Sequence, residues 1–427
     1  MASKQIFNWS ETKTGLMTLL SRNAILIIAI NVLNQCVINF KNSWRSLAVM
    51  KDAGQSPVTL GLLISFLMIV AMFTRPVSGG MMDALSKKLK GLTVAVMAIK
   101  ACVPLLFLVS LNKTWLYVVF FIDSVTWAAA HVIVTAMMAV IINRKALGSG
   151  FAIMTALTVI LASYPRGWGV NVYNSMGLTQ TAWITFAAGI VLLLLVLCID
   201  NKKLQEEYQA SAMKKQEKAA LAGAAATEKK GILSKITWSA IPLALLMGWP
   251  YFYQSLITTY MPVYATDNGF NYASATAIGG TIAGIATIFI GVLCDFISPY
   301  FVVLAAYLIN FISPIALMNG GSNQMFMLGI ILFYSMSRSG TMPLQILNFR
   351  KHDVEQQGQV SATNFFCMDL CSIISSTLCG YLVQNSGYTG SFKAFAILNG
   401  IMVVVLIIFM LYSFKKEKNA KAAAAAE

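Results

Sequence analysis

Charge is scarce in this chain. Asp, Glu, Lys and Arg make up 11% of its 427 residues, where soluble proteins carry about 25%. A surface so poor in charge cannot be wetted throughout, which excludes a soluble enzyme, a nucleic-acid binder and a disordered scaffold. Histidine is scarcer still: His131 and His352 are the two present, so no histidine-based metal cluster is expected. The seven cysteines all fall inside apolar runs, and their odd number argues against a disulfide framework. Cys367 and Cys371 share a helix face, but without a His or acidic cluster beside them they read as small packing residues. No phosphate loop of the G-x-x-x-x-G-K-S/T type occurs. An ATP-driven pump would therefore need a separate subunit, and no cofactor is expected.

What the chain has instead is apolar sequence, 58% by composition, with a mean hydropathy of +0.71. Runs longer than ~18 residues, each enough to cross a ~30 Å hydrocarbon core, recur from end to end. They place spans at 22–46, 57–80, 92–111, 114–142, 149–174 and 179–200, then at 235–264, 271–293, 300–319, 323–348, 358–385 and 391–414. Residues 1–22 lack the features of a signal peptide, so the first span reads as a retained anchor. Six spans stand on each side of a Lys/Glu/Ala-rich segment, 201–234, which reads as a solvated linker or as a helix lying on the membrane surface. The expected fold is an all-α membrane protein of 12 transmembrane helices. Its expected divisions are a six-helix unit at 1–200, a linker at 201–234, a second six-helix unit at 235–414 and a tail at 415–427.

The net charge of +15 reflects loop composition rather than nucleic-acid affinity. With the N-terminus inside, Lys87, Lys88, Lys90, Arg144, Lys145, Arg350, Lys351 and the lysines of the linker and tail are cytoplasmic. Lys41, Arg45, Lys51, Lys113 and Lys393 then lie outside or at outer helix ends. The asymmetry predicts a multi-pass protein of the cell (inner) membrane with both termini in the cytoplasm.

The two halves echo each other. Gly79-Gly80-Met81-Met82-Asp83 follows span 2 and Gly291-Val292-Leu293-Cys294-Asp295 follows span 8, with their aspartates 212 residues apart. Arg144 and Arg350 end spans 4 and 10, 206 residues apart. Two pairs in one order at nearly one offset point to a parallel internal repeat. The stretch Thr74-Arg75-Pro76-Val77-Ser78-Gly79-Gly80-Met81-Met82-Asp83 resembles the loop signature of the major facilitator superfamily, and Gly358 to Cys371 is similar to a segment of its bacterial members. The resemblance covers the whole chain in architecture but only these segments in detail. It implies two six-helix bundles related by a pseudo-two-fold axis, a midplane cavity and alternating access by rocking of the halves. It also implies a cytoplasmic gate in which Asp83 approaches span 11 and Asp295 approaches span 5, with Arg75, Gly79, Arg144, Gly291 and Arg350 beside them. The sequence departs from the signature after Asp83, where Ala84, Ser86 and Lys87 stand in place of the usual basic and glycine residues. Tyr164-Pro165-Arg166-Gly167-Trp168-Gly169 is a poor match to the motif of drug exporters.

Polar residues inside the spans give the candidate cavity. Asn31, Asn34, Gln35, Asn39, Asn42 and Arg45 recur at helical spacing in span 1, as a wet pathway or helix–helix glue would require. Asp123, Trp127 and His131 share a face of span 4, and Arg338 stands at the equivalent depth of span 10. Span 7 offers Trp249, Tyr253 and a bend at Pro250. Lys100 can snorkel and is given no role. Helix depth pairs Asp123 with Arg166 and Arg338 with Asp369, either arginine being available for a substrate anion as the cavity opens.

The leading functional expectation is a monomeric secondary transporter of a small organic solute, charged or amphipathic. Asp123, Asp369 and His131 are candidates for proton coupling. A multidrug-type efflux protein and a non-transporting sensor of the same fold are the alternatives. An enzyme is not expected, because no nucleophile–base or metal constellation accompanies His131. In a cysteine-free background, a cysteine at residue 215 should react with impermeant reagent only from the cytoplasmic side, and cysteines at 51 and 113 only from outside. Labelling of residue 215 on intact cells would overturn this topology.

Overall fold

The computed structural model describes residues 21–84, 88–141, 147–200, 202, 237–319, 321–337, 341–352 and 357–426. Helix α1 is Arg22–Leu47, prolonged by a π turn at Ala48–Asp52; α2 is Pro57–Ala84, α3 Leu89–Leu106 and α4 Lys113–Ile141. The run Leu147–Leu197 is divided at Gly177 into α5 (147–176) and α6 (178–197). In the second half, α7 comprises Ile241–Thr259 and Met261–Asn268, α8 is Tyr272–Phe296, α9 Pro299–Met318, and α10 comprises Asn323–Ser337 and Thr341–Arg350. The run Gln357–Ala426 is divided at Gly387 into α11 (357–386) and α12 (388–426). These are the twelve expected crossings, and the described residues contain no strand. The expected linker falls almost wholly outside the described residues.

Helices are the form that hydrocarbon allows, because they satisfy every backbone donor within one segment. Prolines break that economy, and the fold repairs the damage. Pro250 has no N–H to offer the carbonyl of Leu246, and Tyr307 Oη donates to that oxygen instead. Pro314 likewise frees the carbonyl of Asn310, which accepts from Asn399 Nδ2 at 2.8 Å. With the carbonyl so satisfied, helix Ile241–Thr259 continues through Pro250 without interruption. The interruption comes at Tyr260, before Pro262. Helix α3 also ends earlier than hydropathy suggests, because the amides of residues 107–109 turn back onto carbonyls three residues behind.

The internal repeat is visible in the turns. Gly177 (φ 79°, ψ −178°) and Gly387 (φ 65°, ψ −175°) link the last two helices of each half in the same backbone conformation. That region is essentially closed to residues with a Cβ. Gly54 and Gly269, both with positive φ, lie after the first helix of each half. All four glycines sit at one end of the bundle, here called the distal end. The first residues of α1, at Arg22, and of α7, at Ile241, belong to the other, proximal end.

Packing differs between these ends. In the distal half one continuous apolar core joins the two halves of the chain, with Trp44, Phe107 and Phe120 in contact through neighbours with Tyr253, Phe333 and Phe395. In the proximal half there are two principal cores instead. Ile27, Met97, Ile133 and Val196 form one in the first half, and Leu243, Tyr307, Leu347 and Leu406 form the other in the second. Two seams join the bundles, α2 against α11 and α5 against α8. Small residues let the backbones meet there: a Cβ on Gly167 would collide with the backbone of Ala273, and one on Gly380 with the carbonyl of Pro57.

Gly167→Ala should therefore destabilise the distal closure by about 1–3 kcal/mol and lower the thermal unfolding temperature in detergent. Gly91→Ala, where a Cβ meets nothing within 4 Å, should leave that temperature unchanged or slightly raised.

Candidate functional site

A polar cleft is lined from both halves of the chain. Gln35 and Asn39 of α1 and Thr158 and Arg166 of α5 face Gln254 of α7 and Tyr334 of α10 across it. The amide stripe of α1 has divided duties. Asn31 donates to Thr158 Oγ1 at 3.1 Å, and Asn39 donates to the carbonyl of Ala162 at 2.7 Å, so both tie α1 to α5. Asn39 Oδ1 in turn accepts from Arg166 Nη2 at 3.1 Å. Asn34 turns away from the cleft into the first bundle, where it accepts from Lys100. The stripe therefore supplies helix–helix bonds as well as cleft lining, both of the readings its spacing allowed.

Asp123 does not pair as its depth in the sequence suggests. Asp123 takes Lys41 on one carboxylate oxygen and Arg45 on the other, the latter at 2.9 Å. All three are almost fully buried, and the Arg45 guanidinium also lies 4.9 Å from the Phe120 ring centre. Asp123 thus makes no pair with Arg166. Lys41 and Arg45 stand one helical turn apart on α1, so they grip a single carboxylate together. Lys100, expected to snorkel, is instead buried against Asn34. The missed signal was this basic pair inside an apolar run, which demands an acidic partner from another helix.

Asp369 pairs with Arg75, and Arg338, its expected partner, lies outside the described residues. This contact crosses from α11 to α2 and so joins the two bundles. The Arg75 guanidinium stands 5.3 Å from the Trp127 ring centre, bringing α4 into the same cluster. His131, one turn further along α4, is exposed. Trp249 stacks on Phe252 at 4.9 Å and donates to Asn399 Oδ1 at 2.9 Å. Tyr253 is fully buried between Phe333 and Phe395, with its hydroxyl 3.1 Å from Ser313 Oγ. These contacts make Tyr253 a core residue rather than the cavity residue expected.

Among the expected gate residues, Arg350 donates to the carbonyl of Cys294 at 3.3 Å, satisfying an acceptor near the C-terminal end of α8. Gly79 and Asp83 lie on α2, and Gly291 and Asp295 on α8. The side-chain surroundings of these four, and Arg144 altogether, lie outside the described residues.

Two rows of helices meeting at distal seams around a polar cleft define a membrane transporter fold. The model of the Major Facilitator Superfamily matches residues 167–376. The nucleoside transporter NupG shares the fold with a TM-score of 0.66 at 15% identity, over 91% of this chain and 99% of its own. The xylose transporter XylE from E. coli, in a partially occluded inward open conformation, gives 0.64 at 11% identity over 90% and 99%. A POT family transporter in complex with a thioalcohol-conjugated peptide gives 0.67 at 12% over 91% and 96%. No curated protein sequence matches the chain. The superfamily's model covers just under half of the chain, and the whole chain shares the fold of these transporters, that of a multi-pass membrane protein.

Asp123→Asn would leave Lys41 and Arg45 buried without their carboxylate, at a cost of about 3–5 kcal/mol. Size-exclusion profiles in detergent should show loss of the folded monodisperse species. Replacing the whole cluster by Lys41→Met, Arg45→Met and Asp123→Leu should recover it. A monodisperse Asp123→Asn protein of wild-type stability would contradict this account.

Proposed function

We propose that the protein is a secondary active transporter that carries a small organic solute across the cell membrane by alternating access. The observation that carries this reading is the change from one shared core in the distal half to separate bundle cores in the proximal half. A solute in the cleft touches both bundles, and a rocking motion about the distal seams would alter access to it. The Lys/Arg distribution assigns the proximal end to the cytoplasm, so this arrangement is the inward-facing one. Residues 1–200 and 235–414 are the rocking units, with 201–234 as their cytoplasmic linker.

Of the three groups considered for proton coupling, Asp369 fits best. Asp123 is gripped by two cations of its own bundle, whereas Asp369 has, among the described residues, a single cationic partner, Arg75, across the seam. No other charged group among the described residues lies within ion-pairing distance of Asp369. Protonation of Asp369 would release Arg75 and loosen the join between bundles, linking proton binding to rocking.

Spin labels in a cysteine-free background should report two populations, one pair at residues 88 and 297 of the proximal end and another at 113 and 268 of the distal end. Acidification should shorten one distance as the other lengthens. Asp369→Asn should hold wild-type protein's acidic distribution at every pH. A single population that neither pH nor solute alters would favour a rigid sensor over a transporter.

A further inference from the structure

The charge inventory at membrane depth is unbalanced. Lys41, Arg45, Arg75, Lys100, Arg166 and Arg338 lie within the spans, whereas the aspartates well inside them are Asp123 and Asp369. Both are already engaged, Asp123 by Lys41 and Arg45 and Asp369 by Arg75. Asp52 and Asp267, at the distal end, are taken by the Tyr173 hydroxyl and by Lys51. Arg166 therefore has no carboxylate within ion-pairing distance among the described residues. Unlike Lys100, it also opens onto the inter-bundle cleft.

Its local setting leaves donors available. A guanidinium carries five N–H groups, and one direct side-chain contact, from Nη2 to Asn39 Oδ1, occupies part of that set. The Tyr334 ring centre lies 4.6 Å from the guanidinium carbon, a cation–π contact that steadies the side chain beside the cleft. Tyr334 comes from α10 and is steadied by the Tyr272 hydroxyl at 3.4 Å. An arginine steadied by an aromatic ring from the opposite bundle lines the cleft with donors to spare, and a guanidinium can make two parallel hydrogen bonds to one anion. Gln35 and Gln254 stand in the same cleft, one from each bundle, with amides suited to a solute's hydroxyl or amide groups.

We propose that the transported solute carries an anionic group, a carboxylate or a phosphate, and that Arg166 is the residue that holds it. This rests on the transporter reading and names its substrate class. A consequence follows for the transport cycle. Closing the cleft over a bare guanidinium strips its hydration without replacement, whereas closing it over an ion-paired one does not. The loaded carrier should therefore reorient faster than the empty one, and exchange should outpace net flux.

The test uses purified full-length protein and matched probes: lactate with lactamide, succinate with succinamide, and glycerol 3-phosphate with glycerol. Thermal unfolding is followed as each is titrated, and uptake of the best radiolabelled probe is measured in proteoliposomes. At least one anion should raise the unfolding temperature while its neutral partner does not. Success of the carboxylates or of the phosphate ester identifies the anionic group. Arg166→Gln should weaken that binding by about 10- to 100-fold. Arg166→Lys should keep the preference for anions with reduced affinity, and it guards against a folding defect being read as a binding one. Counterflow of the probe should exceed its net efflux. The proposal is overturned if no anion binds more tightly than its neutral partner, or if Arg166→Gln leaves affinity unchanged. Flux of a neutral solute that Arg166→Gln leaves intact would sink the anion assignment and spare the transporter reading. Absence of reciprocal distance changes would instead remove the transporter reading on which the proposal rests.

Discussion

A helix in hydrocarbon must close its own hydrogen bonds, and each place where the ladder fails needs a donor from a neighbour. The carbonyls of Leu246 and Asn310, freed by Pro250 and Pro314, receive such donors from Tyr307 and Asn399. Those donors also fix helix neighbours: α9 is tied to α7, and α12 to α9. The same shortage of water makes Ser and Asn side chains useful as fasteners, as in the bond from Ser65 to the carbonyl of Ile373 across the α2–α11 seam. Polar groups that would be incidental on a soluble surface become the means by which helices are assigned their partners.

Charge obeys the same constraint more severely. The first bundle keeps a cluster of Lys41, Arg45 and Asp123 away from both lipid and cleft, where its role is to hold α1 against α4. The Arg75–Asp369 pair has the same chemistry but a different location, because it joins elements of opposite bundles. A buried pair inside one unit resists separation in every state of that unit. A pair between units is made or broken whenever the units move. Position in the architecture, not the identity of the charges, separates an ion pair held within one bundle from one that joins two.

The two ends of the bundles are packed differently. One core shared across the distal half resists opening there, while separate proximal cores leave each bundle stable without the other's apolar surface. Small residues at the seams permit close backbone contact without interlocking long side chains. Such seams suit sliding or rocking better than a deeply interdigitated interface would.

The sequence by itself determined the twelve crossings and their grouping into halves, since both follow from local hydropathy. It also marked Gln35, Asn39 and Arg166 as polar residues that lipid would not accept, and all three line the cleft. Tertiary structure alone decided which charges meet. Helical spacing fixes the face on which Asp123 or Asp369 projects, and depth limits its partners, but neither says which helix stands opposite. Asp123 therefore found Lys41 and Arg45 from α1 instead of Arg166 from its sequence neighbour, and Asp369 found Arg75 nearly three hundred residues away. Tyr253 went into the core for the same reason, its surroundings being set by α10 and α12 rather than by the aromatic run in which it stands.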